Sequence, residues 1–319
     1  MLFIGKSLST PKGFLAMMNS TSRRTFLGTV AMCAAGGILQ ACPSTSHAIE
    51  PIKRPGTPNF KFSLAAYSYR DLLSGEAPEL TLHDFIDQCA SMGLHGTELT
   101  SYYFPANPSA EYLHELHAHA FKLGLDVSGT AVGNDFCHPP GPKRDQQISL
   151  VKRWIEHAAM LNAPVIRIFS GKPQGGQTVA QAHHLAVEGM EECCDYAGQH
   201  GVFLALENHG GLTSKVEGML SLIRDVKSPW FGVNLDSGNF HGEDIYDDLA
   251  KIAPFALNVQ VKVVVSPAGG GKQPSDFGRL ASILKDAGYR GYIVLEYEES
   301  EDPRVACPRY VALLREAFA

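Results

Sequence analysis

From residue 60 onward, short apolar runs alternate with longer amphipathic segments eight times, and no other feature restricts the fold of this chain as tightly. The spacing predicts strands over 62–67, 96–99, 126–130, 165–169, 202–207, 231–236, 256–263 and 292–296. Between them it predicts helices over 82–92, 110–123, 146–161, 179–200, 215–226, 244–252, 277–287 and 304–318. Strands that each hand over to a helix form a parallel sheet with crossover connections. Gly93, Gly124, Gly201 and Gly288 follow four of the helices, where a left-handed C-cap is required. Eight units over residues 60–319 fit a single α/β domain, a (β/α)8 TIM barrel, which typically needs ~250 residues. The competing fold is a doubly wound open sheet, but no GxGxxG follows the first strand.

The segment before residue 60 has another character. Ser22-Arg23-Arg24-Thr25-Phe26-Leu27 precedes an apolar run over 28–39 that is too short to span a membrane. It resembles a twin-arginine export signal over residues 1–41, with translation starting at Met1, Met17 or Met18. Cleavage before Cys42 would leave a lipid anchor on that cysteine, and cleavage after Ala48 would release a soluble protein. Residues 42–59, rich in Pro, Ser and Thr, read as a flexible tether. The expected partner is the twin-arginine export machinery, and the expected location is the periplasm or the outer side of the inner membrane. Export of a folded chain would let a cofactor be loaded beforehand in the cytoplasm.

Four basic and no acidic residues lie in the first 41, so the formal net charge of −6 becomes −10 for the rest. An acidic body argues against nucleic acid as a partner. The seven cysteines show no CxxC, and Cys193 adjoins Cys194, so neither a zinc ribbon nor a disulfide scaffold fits. In a TIM barrel the chemistry sits at the carboxyl ends of the strands. There the late strands carry Glu207, Asp236, Gln260 and Glu296. Three carboxylates crowded at an apolar mouth need a neutralising cation. All-oxygen ligation suits one hard divalent ion, Mn²⁺ or Mg²⁺.

The segments Ala205-Leu206-Glu207-Asn208-His209-Gly210-Gly211, Asn234-Leu235-Asp236-Ser237-Gly238-Asn239-Phe240, Asn258-Val259-Gln260-Val261-Lys262 and Val294-Leu295-Glu296 resemble the xylose isomerase-like TIM-barrel family of sugar isomerases and epimerases. The resemblance implies that Glu207, Asp236, Gln260 and Glu296 bind the metal, with glutamine in third place as in the hydroxypyruvate isomerase branch. It also implies that Glu207 and Glu296 are the acid/base pair. Several members carry a histidine three residues after the metal-binding aspartate; here Asn239 stands there, with His241 two further on. The family's nuclease branch uses a multi-histidine zinc cluster that this chain lacks, which argues against DNA repair.

The implied reaction is proton abstraction beside a carbonyl with a metal-stabilised enediolate, giving isomerisation or epimerisation. The expected substrate is a non-phosphorylated sugar or keto sugar, because phosphorylated sugars are scarce outside the cytoplasm. Two alternatives are a 3-keto-glycoside lyase that follows abstraction with β-elimination, and a non-catalytic exported sugar-binding barrel. His209, Lys262, Tyr67, Glu98 and Arg167 are further candidates for the pocket wall, with a Glu98–Arg167 ion pair as the structural reading of the last two. Asn134, Phe136 and His138 follow the third strand in a segment that could lie over the mouth.

Overall fold

The computed structural model describes residues 49–319; the expected export signal and cleavage sites, with Cys42, lie outside them. Eight parallel strands close into a barrel: β1 (Asn59–Ala65), β2 (Gly96–Thr100), β3 (Asp126–Ala131), β4 (Val165–Ile168), β5 (Phe203–Glu207), β6 (Phe231–Asp236), β7 (Ala256–Val261) and β8 (Arg290–Leu295). Each strand pairs with its sequence neighbours, and β8 pairs with β1 to complete the ring. The helices that follow are α1 (Leu82–Ser91), α2 (Ala110–Lys122), α3 (Pro142–Met160), α4 (Val179–His200), α5 (Val216–Asp225), α6 (Ile245–Ile252), α7 (Phe277–Asp286) and α8 (Pro303–Ala317). The expected (β/α)8 barrel is the observed fold.

Local chemistry explains these boundaries. Thr81 with Asp84, and Thr178 with Gln181, form capping boxes at the starts of α1 and α4. The four expected C-terminal glycines all take positive φ, between 63° and 76°. Helix α3 begins four residues earlier than expected, because Pro142 occupies the first helical turn, where no N–H is needed. The α5 face that meets the barrel is Val216, Met219, Leu222 and Ile223, the i, i+3 spacing of an amphipathic helix. The last part of the expected tether is held rather than free. Ile52 N donates to Pro254 O at 2.9 Å and Arg290 Nη1 to Thr57 O at 2.6 Å, which pins this stretch beside the starts of β7 and β8.

Residues two apart on a strand share a face, so Asn234 lines up with Asp236, and Asn258 with Gln260. Barrel interiors are usually filled by branched apolar side chains. This one is polar toward its carboxyl end. Two irregularities in the ladder aim its polar groups: pairing shifts between Thr97 and Glu98 against β3, and between Val233 and Asn234 against β7. The extra residues, Ser128 and Leu257, face Thr97/Glu98 and Val233/Asn234. A Cβ on Gly232 would lie 2.4 Å from Leu257 Cδ1, so a larger residue there would have to displace the side chain of the bulge residue.

Candidate active site

At the carboxyl ends of the strands a small cavity of about 160 Å³ opens between Glu207 from β5 and Glu296 just beyond β8. Glu207 is buried and held from several sides. Arg167 Nε lies 2.9 Å from its Oε2, His209 Nδ1 lies 3.0 Å from its Oε1, and Asn239 Nδ2 donates to Oε1 at 2.9 Å. Burial works to raise this carboxyl, but Arg167, then His209 and Lys262, outweigh it and hold Glu207 below the ordinary carboxylate value. Arg167 is fixed in turn. Its guanidinium stacks 4.0 Å from the Phe169 ring centroid and donates to Val132 O at 2.9 Å. Asn134 makes two hydrogen bonds to the Phe169 backbone and so braces the stacked ring.

The opposite wall is organised by one lysine. Lys262 Nζ lies 2.9 Å from Glu296 Oε2, 2.8 Å from Glu298 Oε1 and 3.5 Å from Asp236 Oδ2. Burial disfavours its charge, yet Asp236, Glu296 and Glu298 together push the ammonium well above its ordinary value. Asp236 is fully buried; its Oδ1 accepts from Gly238 N at 2.8 Å, whereas Oδ2 accepts no hydrogen bond. Burial, with Glu207 and Glu296 nearby, pushes this carboxyl well above the ordinary range against the pull of Lys262. Tyr67 and Tyr102, edge to face at 6.3 Å, form the remaining wall.

The structure relocates several residues expected to line the pocket. Glu98 is wholly buried beneath the mouth, where Gln260 Nε2 donates to it at 2.6 Å and Asn258 Nδ2 at 2.9 Å. It forms no pair with Arg167, because β4 adjoins β5 and the arginine turns to Glu207 instead. Burial, and then Glu296, raise the Glu98 carboxyl to about 7. His241 lies outside the cavity, with Nδ1 3.0 Å from Ser266 O, in a separate depression beside Phe240 and Asp248. Phe136 is a core residue. Five groups at the site went unread in the sequence: Asn234 and Asn258, each a polar residue two before a candidate ligand on an otherwise apolar strand, Glu298, two after Glu296, and the rings of Tyr102 and Phe169. A larger groove of about 520 Å³ beside α7 and α8 is lined mainly by apolar groups, with Lys272 and Glu299 at its edge.

Among the described residues no three His, Cys, Asp or Glu side chains stand at the spacing of a filled metal site, and Lys262 occupies the space between the carboxylates. The donor chemistry nonetheless suits a hard cation. Asp236 Oδ2 is a buried carboxylate oxygen without a hydrogen bond, and Glu207, Glu296 and the Gln260 carbonyl add oxygens at the same end of the barrel.

A closed (β/α)8 barrel with acidic residues at the ends of β5, β6 and β8 defines the class of the protein. Residues 86–316 match the xylose isomerase-like TIM barrel family, and the chain belongs to it. No curated protein matches the chain in sequence at a significant level. Among solved structures it resembles D-psicose 3-epimerase with D-tagatose from Clostridium cellulolyticum H10 (TM-score 0.67, 14% identity, 81% of this chain and 99% of that one). It also resembles an L-ribulose 3-epimerase (0.66, 15%, 81% and 94%) and the apo form of 3-keto-D-glucoside 4-epimerase from E. coli (0.65, 17%, 81% and 100%). At these identities the likeness is one of fold.

Proposed function

We propose that this protein is a sugar isomerase or epimerase that moves a proton at a carbon beside a carbonyl, with Glu207 and Glu296 as the acid/base pair. The observation that carries this reading is their placement: two buried carboxylates face one cavity from β5 and β8, each paired with its own cation. Arg167 favours the ionised form of Glu207, which suits a base at neutral pH. Glu296, on the other wall, enters the step as the carboxylic acid and delivers its proton, and Lys262 then pairs with the carboxylate that is left. Return to the same carbon from the opposite face gives the epimer, and delivery to the neighbouring carbon gives the isomer. Arg167 and Lys262 lie beside the space where an oxyanion would develop and help to stabilise it. A divalent ion, Mn²⁺ or Mg²⁺, held by Glu207, Asp236, Gln260 and Glu296 would add Lewis-acid stabilisation of that charge.

The charge balance supports a neutral substrate. Arg167 and Lys262 face Glu207, Asp236, Glu296 and Glu298, so neither cation is left over for a phosphate. At about 160 Å³ the cavity lies below the ~300–1,000 Å³ of drug-sized sites, which limits the substrate to a small molecule. The three structural relatives are epimerases of ketoses or of a keto-glucoside, in line with this reading. Incubating Mn²⁺-loaded protein in deuterated water with ketoses and 3-keto-glycosides is expected to place label on the carbon beside the carbonyl without change of composition. Release of an aglycone would reassign the protein as a lyase, and neither label nor product would reduce it to a sugar-binding barrel.

The basic, acid-free N-terminal segment supports export by the twin-arginine route as a second part of the proposal. A reporter fused to residues 1–48 is expected to cross the inner membrane and to stay inside when Arg23 and Arg24 are both changed to lysine. Export unaffected by that double change would refute this part.

A further inference from the structure

Beneath the mouth, four side chains from three strands close a ring of hydrogen bonds. Gln260 Nε2 donates to Glu98 Oε1 at 2.6 Å, Asn234 Nδ2 to Gln260 Oε1 at 2.6 Å, Asn258 Nδ2 to Asn234 Oδ1 at 2.9 Å, and the same Asn258 nitrogen to Glu98 Oε2 at 2.9 Å. All four residues are buried. An amide can be turned end for end at almost no steric cost, so three amides in a ring leave two senses open. An ionised carboxylate only accepts, and one such member decides between them. With Glu98 as acceptor, Gln260 and Asn258 must both turn NH₂ groups toward it. The Gln260 carbonyl is then left to face Asn234. Asn234 uses its own NH₂ for that oxygen and, at 3.3 Å, for Glu207 Oε2. Reversal would set the Asn234 carbonyl against the Glu207 carboxylate.

We propose that Glu98 is a positioning residue whose carboxylate fixes the sense of this ring and thereby points the Gln260 carbonyl and the Asn234 amide toward the Glu207 side of the site. Both ladder irregularities adjoin ring members: the extra residue Leu257 directly precedes Asn258, where a bulge re-aims the side chain of its own strand, and the extra residue Ser128 lies opposite Glu98. The ring itself stands on the chain's own groups; its effect on an ion rests on the metal reading given above.

The test uses ¹⁵N-labelled protein at pH 8, with the Gln260 side-chain NH₂ identified by its loss in Gln260→Glu. In the wild type this pair is expected to resist hydrogen exchange, and in Glu98→Gln that protection is expected to disappear while backbone signals away from β2, β6 and β7 stay in place. A Gln260 NH₂ that exchanges as fast as exposed glutamines in the wild type would overturn the proposal even if the variant does not fold, as would unchanged protection in a folded Glu98→Gln. A Mn²⁺ titration separates the two readings. Affinity is expected to fall about 10- to 100-fold in Glu98→Gln, the usual effect of removing a group that orients a ligand. Equal affinity in wild type and variant would overturn the positioning role. No Mn²⁺ binding by the wild type would refute the metal reading and leave the exchange measurement to decide the ring.

Discussion

Glutamine in place of Glu296 is expected to lower turnover about 100- to 10,000-fold, the usual contribution of a positioned acid/base group. The exchange preserves shape and one hydrogen-bond acceptor but removes the ability to carry a proton, so the loss should fall on kcat rather than KM. Lys262 keeps Asp236 and Glu298 as partners after the change, so the fold should survive. Glu207→Gln is expected to cost as much in turnover and more in stability, because it strands the buried guanidinium of Arg167. Tyr67→Phe, which alters the wall without touching either carboxylate, serves as the control and should change turnover far less. The measurement is steady-state kinetics together with solvent deuterium incorporation on whichever keto sugar the wild type labels. Label incorporated by Glu296→Gln at a rate within tenfold of the wild type would remove this carboxyl from proton transfer.

The site was partly legible in the sequence because of the two-residue period of strands. A polar residue that ends an apolar run must either face the barrel mouth or be buried against a helix at high cost. That rule singled out Glu207, Asp236, Gln260 and Glu296, and it carried Lys262 onto the same face as Gln260. The rule fails where the polar residue does not end its strand. Glu98 is the middle residue of β2, two before its end at Thr100, so its carboxyl sits a layer beneath the mouth, against Gln260 and Asn258, rather than in the cavity. The direction of a long side chain was the second missing fact: the sequence allows Arg167 to reach Glu98, and only the structure shows that its guanidinium turns to Glu207 on the adjacent β5. His241 escaped for a third reason: it follows Phe240, which is buried in the core, and the loop has already turned away from the axis. The fold asked less of the sequence. Eight repeats and four C-terminal glycines state it redundantly, so an error of a few residues at the start of α3 leaves the topology unchanged.

Lys262→Met is expected to destabilise the metal-free protein by about 3–5 kcal/mol, the cost of leaving buried charges without their partner. Methionine matches the lysine stem in length and volume, so the loss isolates the ammonium. What remains is Asp236, fully buried, and Glu296, 5% exposed, with Glu298 at their edge and, among the described residues, no other lysine or arginine paired with the first two. The same substitution frees oxygens for an ion. A divalent cation held as proposed would compete with the ammonium for Asp236 Oδ2 and Glu296 Oε2, so the variant should bind Mn²⁺ more tightly than the wild type. At about a hundred times its dissociation constant, the ion should return ~2.7 kcal/mol. Denaturation of both proteins in chelator and in Mn²⁺ reads the two effects together. A variant as stable as the wild type in chelator would show that Lys262 is not the counter-charge of this site. A variant that is destabilised but gains nothing from Mn²⁺ would show that its carboxylates, though in need of a cation, are not arranged to hold a divalent one.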